Sequence, residues 1–246
     1  MHTIDKRFPE LVIIYGRHKN RVREAARNYG FKRYTTDWRA AARDPEVEIV
    51  DNSLPNNMHL KPTLEALEAG KHVLCEKPLA RNTEEARVLR DAARGAKVKT
   101  MVAFNYRFVP AVQLARQLVK SGVLDRIYHF RTRYLQDWLA NPSAPLTWRL
   151  RAEEAGSGPL GDLGSHIIDL ARFLFGEITA VTGVVRTFIE ERPLAEDPSK
   201  KGRVTVEFEN GAIGTLEASR FTTGRKNYNN FEINGDHGSI ESTWSA

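Results

Sequence analysis

The chain has 246 residues, enough for one large domain or two modest ones. Its 41% hydrophobic and 28% charged content is that of an ordinary globular protein, and no apolar run approaches the roughly 20 residues that span a bilayer. The net charge of +6 admits anionic ligands, but the basic residues form no block with interleaved aromatics, so neither nucleic acid nor membrane is an expected partner.

The segment Met1-His2-Thr3-Ile4-Asp5-Lys6-Arg7 has no apolar core behind its charges. No signal peptide is expected, and a cytoplasmic location is the default. Leu11-Val12-Ile13-Ile14-Tyr15 is a short continuous apolar run, expected as a doubly buried strand. A charged helix over 19–29 ends at Gly30, and Asp37 opens a short helix through Arg43. A strand over 47–51, a helix over 57–69 closed by Gly70, a strand over 72–75, a helix over 83–94 and a strand over 98–104 complete the series. Cys75, the only cysteine, lies in the run His72-Val73-Leu74-Cys75 and is expected to be a small core hydrophobe rather than a nucleophile. Strand-helix-strand repetition implies a parallel sheet, with ligands beyond the carboxyl ends of its strands.

From about Arg107 the pattern changes. A helix is expected over 110–120, a strand over 127–134, a long loop over 141–161 and a helix over 161–175 stopped by Gly176. Strands follow at 178–189, 203–209, 212–220, 230–234 and 238–241, with Asn210-Gly211 as a hairpin signal and 198–202 as a mobile turn. The reading is therefore α/β: an incomplete Rossmann-type parallel sheet over 1–106, then an α+β domain over 107–246 with a large, mostly antiparallel sheet.

Within the helix at 161–175, Asp162, His166 and Asp169 share one face at spacings i, i+4, i+7. A carboxylate beside a histidine can fix its tautomer and raise its basicity, which makes an acid/base unit. A solvated polar face or a helix cap would give the same pattern, and a metal site is a weaker third reading with no cysteine or second histidine to support it. Lys77, between Glu76 and Pro78 at a strand end, can aim its ammonium into the crevice; pairing with Glu76 is the plainer alternative. Gly16 stands where dinucleotide folds carry the acid for the ribose hydroxyl, and Arg17 and Lys19 would instead suit a 2′-phosphate.

Taken together, these motifs resemble the glucose–fructose oxidoreductase/inositol dehydrogenase/MocA (Gfo/Idh/MocA) family over nearly the whole chain. Leu54-Pro55-Asn56-Asn57-Met58-His59 is similar to the family's Thr-Pro-Asn-x-x-His turn, with Leu54 in place of Thr. Glu76-Lys77-Pro78 is similar to its Glu-Lys-Pro signature, and Phe104-Asn105-Tyr106-Arg107-Phe108 to its next strand end. Gly156-Ser157-Gly158 through Asp162, His166 and Asp169 resembles its active-site helix. The resemblance implies NAD or NADP as cofactor, a sugar or polyol substrate, and Lys77, Asp162 and His166 as catalytic residues. It places Arg17, Leu54, Pro55, Asn56, His59, Glu76, Lys77 and Asn105 along the cofactor. It places Trp138, Trp148 and Arg149 with Lys77, Asp162 and His166 on the substrate. It also implies a homo-oligomer, dimer or tetramer, through the outer face of the second sheet.

The chain departs from the family in lacking the Gly-x-Gly-x-x-Gly turn, which would fall before Met1, along with the first strand and helix. The edge of the first visible strand is then expected to be exposed. The sheet also stops early, after Glu241, and an acidic stretch is short around 197–202. Two functions follow as alternatives: a fragment of a sugar or polyol dehydrogenase, or a non-catalytic ligand-binding or oligomerisation module.

Overall fold

A computed structural model describes residues 9–145, 147–156, 158–189 and 199–245. The chain divides into two units. The first comprises Met1–Leu54, Met58–Glu76 and Thr83–Val102; the second comprises Pro55–Asn57, Lys77–Asn82 and Ala103–Ala246.

The first unit is built of short parallel strands with helices between them. Strand β1 (Ile13–Tyr15) leads into α1 (Lys19–Tyr29), which Gly30 closes with a left-handed φ of 78°. Strand β2 (Arg33–Thr35) had no signal in the sequence: three residues are too few for a periodicity. Helix α2 (Trp38–Arg43) is capped by the Asp37 carboxylate, which accepts from the Arg39 N–H at 2.9 Å. Strand β3 (Ile49–Asn52), helix α3 (Leu60–Glu68), strand β4 (His72–Cys75), helix α4 (Thr83–Gly95) and strand β5 (Thr100–Val102) follow. The expected helix over 57–69 is split, with a 3-10 turn at Asn56–Met58 ahead of α3.

The strands form two separate parallel sheets, β1–β2 and β3–β4–β5. Among the described residues β1 and β3 each have one unpaired edge. The expectation of a doubly buried first strand is thereby corrected: β1 is half-buried throughout and Leu11 is exposed, because only one neighbour covers it. Ile49 on β3 is likewise 60% exposed. Met1–Arg7 lie outside the described residues.

The second unit packs helix α5 (Pro110–Lys120), with proline in its first turn, beside α7 (Ser165–Phe175) on one face of a six-stranded sheet. Its strands are β6 (Ile127–Leu135), β7 (Ile178–Ile189), β8 (Ser199–Phe208), β9 (Ile213–Ser219), β10 (Tyr228–Gly235) and β11 (Gly238–Ser245), in the order β11-β10-β6-β9-β8-β7. Only the β6–β9 pair is parallel. A short helix, α6 (Ala152–Ala155), lies in the long loop. Phe130, Leu216, Phe231 and Ile233 of the sheet meet Val112 of α5 and Ile167, Leu170 and Leu174 of α7 in one core. Asn210-Gly211 turns β8 into β9 with Gly211 at φ 82°, a conformation that favours glycine. The expected mobile turn is corrected in part: residues 199–202 begin β8 and pair with β7, Gly202 also with β9, while Pro198 lies outside the described residues. No helix among the described residues is long and apolar enough to cross a membrane.

Candidate active site

In the first unit, Arg17 follows β1 and is exposed. The turn after β3 is held from inside. Asn52 Nδ2 donates to the carbonyls of Met58 and His59 and to Thr63 Oγ1, at 3.3, 3.2 and 3.0 Å. His59 is fully buried, and its Nε2 lies 2.8 Å from the Leu54 carbonyl, which braces the turn. The Glu76 N–H donates to the Asn52 carbonyl and aligns the ends of β3 and β4. Cys75 is buried, and burial pushes its thiol up to about 11, which suits packing rather than nucleophilic use.

In the second unit, Asn56 is buried and donates from Nδ2 to the Ala155 carbonyl at 2.8 Å. Pro55 stands beside it and is half-buried. The glycine motif before the active-site helix has a steric origin. Gly156 has φ 82°, and a Cβ there would lie 2.5 Å from the Arg81 carbonyl oxygen; Ser157 lies outside the described residues.

The helix predicted over 161–175 begins instead as a π turn, Leu160–Gly164, before α7. This turn carries Asp162. Lys77 Nζ, from the loop 77–82, donates to Asp162 Oδ1 at 2.6 Å and approaches its carbonyl at 3.3 Å. Arg220 Nη2 donates to Asp162 Oδ2. Burial of Asp162 would raise its pKa, but the charges of Arg220 and Lys77 overcome it and hold the carboxyl at about 2.

His166, one turn further on, is 6% exposed. Burial, reinforced by the Lys77 ammonium, pushes the ring down to about 3 against the opposing pull of Asp162, so it is neutral near pH 7. It stacks on Tyr106 with centroids 4.3 Å apart, and Tyr134 lies 5.9 Å away. Tyr106 and Tyr134 share a hydrogen bond between hydroxyls at 2.8 Å.

The expectation that two carboxylates flank His166 is corrected. Nδ1 of His166 is buried and has no hydrogen-bond partner among the described residues, so no carboxylate fixes its tautomer. Asp169 instead accepts from Arg107 through both its oxygens, from Nε at 2.7 Å and from Nη2. Lys77 is also not a surface lysine: its side chain is 17% exposed and pairs with Asp162. No group of three histidine, cysteine or acidic residues that could hold a metal is present among the described residues.

Arg220 escaped the sequence reading. The signal for Arg220 was present. Along the strand at 212–220 the even positions Ala212, Leu216 and Ala218 face the core, and Arg220 extends that row with no exposed surface. The segment 136–139 runs beside it: Gln136 N–H donates to Ser219 O, Leu139 N–H to Arg220 O and Thr222 N–H to Gln136 O. This places the Trp138 ring 5.0 Å from the Arg220 guanidinium carbon, and Trp138 Nε1 donates to Gln136 Oε1 at 2.8 Å. Arg149 is exposed, lies 4.6 Å over Trp148 and is close enough to oppose the charge of Arg220. Within one unit, Lys77 and His166 thus lie near Asp162, and Trp138 and Arg149 near the Arg220 that holds it. Asn105 is exposed at the start of the 3-10 turn Asn105–Phe108, next to Tyr106.

Residues 1–104 match the model of an oxidoreductase family with an NAD-binding Rossmann fold, and residues 112–241 match the GFO/IDH/MocA C-terminal domain. The chain belongs to the GFO/IDH/MocA oxidoreductase family. Within this family it is 47% identical over 238 residues to levoglucosan dehydrogenase of Pseudarthrobacter phenanthrenivorans, covering 88% of this chain and 60% of that protein. It is 32% identical to D-glucoside 3-dehydrogenase of Escherichia coli, covering 85% and 62%. A solved levoglucosan dehydrogenase in complex with NADH and levoglucosan superposes with a TM-score of 0.93 at 46% identity, over 95% of this chain and 64% of that one. The chain therefore spans about three fifths of the length of these relatives.

Proposed function

We propose that this chain carries the reaction centre of an NAD(P)-dependent dehydrogenase, which moves a hydride between a CH–OH group of a sugar or polyol and the nicotinamide. The observation that carries the reading is the 2.6 Å contact of Lys77 with an ionised Asp162, one turn from a buried, neutral His166. When bound, the cofactor supplies the hydride acceptor. The residues of the chain do the rest. Neutral His166 accepts the hydroxyl proton, the Lys77 ammonium steadies the developing alkoxide, and Asp162 holds Lys77 in place. Trp138 and Trp148 offer apolar faces to a sugar ring, and Arg149 offers donors to its hydroxyls.

The residues at the carboxyl ends of β1, β3 and β4 suit a dinucleotide: Gly16-Arg17, the Asn52–Leu54 turn braced by His59, and Glu76. In the second unit, the family resemblance assigns Pro55, Asn56 and Asn105 to the cofactor. Arg17 and Lys19 suit the 2′-phosphate of NADP, whereas the solved levoglucosan dehydrogenase was seen with NADH. The alternative reading is a ligand-binding or oligomerisation module without turnover.

One experiment separates the two: titration with NADH and NADPH, followed by assay of nicotinamide reduction with levoglucosan, glucosides and inositols. Saturable binding with turnover that His166→Asn abolishes is the expected result. Cofactor binding with no turnover of any sugar or polyol would replace the dehydrogenase by the binding module. A cytoplasmic location belongs to the same proposal. So does assembly as a dimer or tetramer through the sheet face opposite α5 and α7, where Val184 and Ile213 are 73% and 54% exposed. A monomer by light scattering would remove that last element.

A further inference from the structure

We infer that Arg220 is a positioning residue of the proposed reaction centre: it anchors Asp162 Oδ2 so that Oδ1 stays aimed at Lys77. The inference rests on the dehydrogenase reading for its kinetic meaning, but its geometry stands alone. Arg220 has no exposed surface, and a buried guanidinium is costly unless a counter-charge and hydrogen bonds compensate it. A clamp built for stability would use the two-toothed geometry in which one arginine takes both carboxylate oxygens. Arg107 does this to Asp169. Arg220 does not. It gives one nitrogen to one oxygen, and its Nε and Nη1 have no hydrogen-bond partner among the described residues. The oxygen it leaves is the one Lys77 takes. Trp138 covers the guanidinium, and the carbonyl of Arg220 is held by the Leu139 N–H, so the arginine is fixed from both sides.

The arrangement has an electrostatic consequence. Among the described residues, the charged and titratable groups facing Asp162 are Lys77 from the 77–82 loop, Arg220 beyond β9, His166 on α7 and Tyr134 on β6; Arg149 and Tyr134 also face Arg220. Arg220 is the first-ranked charge holding the Asp162 carboxyl low against its burial. Without it, only Lys77 opposes that burial.

The test uses the full-length protein with Arg220→Met, and Arg220→Lys as the conservative rescue. Three quantities are read: the Asp162 carboxyl titration by 13C NMR without substrate, the pH profile of kcat, and the melting temperature. In R220M the carboxyl is expected to titrate about 1–3 pH units higher, the shift one neighbouring opposite charge causes. The acid limb of kcat should move with it, with R220K between the two. If R220M does not fold, R220Q, neutral but able to hydrogen-bond, takes its place. An unmoved Asp162 titration, or an activity loss that follows melting with no change of pH profile, overturns the inference. Should no sugar be turned over even by wild type, the functional reading fails, while the carboxyl titration still decides the role of Arg220.

Discussion

Two carboxylates seven positions apart, Asp162 and Asp169, meet arginines in opposite ways. Asp169 sits within α7, is buried, and gives both oxygens to Arg107. Asp162 sits on the π turn ahead of α7 and divides its oxygens between Lys77 and Arg220. The first arrangement ties the 3-10 turn at Asn105–Phe108 to the helix. The second puts Lys77 on one carboxylate oxygen and Arg220 on the other. The same residue pair, aspartate with arginine, is thus a brace in one place and part of the proposed reaction centre in the other. The difference lies in how many oxygens the arginine takes.

The comparison can be broken or sharpened by substitution. The largest effect is expected at the reaction centre. Lys77→Met and His166→Asn should each lower kcat by about 10²–10⁴, the usual scale of acid/base catalysis, while cofactor binding by fluorescence is retained. Asp169→Asn, assayed at a temperature where it is folded, should stay close to wild type; an equal loss there would erase the distinction between the two carboxylates.

Next in size, Asp162→Asn leaves the buried Arg220 without its counter-charge and should cost about 3–5 kcal/mol in denaturant unfolding. Stability should also depend on pH through His166. Its folded value of about 3 lies below the ordinary 6.5, so on acidification the unfolded chain takes up the proton first. The stabilisation is complete above about pH 6.5 and declines as pH falls towards 3, by at most about 1.4 kcal/mol per pH unit. His166→Asn should remove that slope, and an unchanged slope in melts across this range would show that the ring is not buried neutral. Asp162 adds its own loss further down, as pH falls from 3.8 to about 2. The smallest effect is that of Asp169→Asn on stability, about 1–3 kcal/mol by thermal melting, because it weakens rather than strips the buried contact.

Much of this was legible in the chain itself. The helices over 19–29, 83–94 and 110–120 and the strand over 72–75 were readable from periodicity and from the punctuation of Gly30, Asp37 and Gly70, because those signals are local. Lys77 and His166, which lie near Asp162, were also visible, since strand ends and clustered polar residues mark ligand sites, whereas Trp138 and Arg149, near Arg220, came only from the family resemblance. What the sequence by itself determined is therefore the order of elements, the α/β then α+β change of pattern near Arg107, and the chemical types available at the strand ends. Only the tertiary structure decided which charge meets which. A spacing of i, i+4, i+7 puts Asp162, His166 and Asp169 on one face only if the helix is regular, and a π turn at Leu160–Gly164 breaks that premise. The partners Arg107 and Arg220 lie 62 and 58 positions away along the chain. No local pattern encodes such pairings, because they are chosen by the cost of burying a charge in a core that exists only once the sheet and α7 have come together.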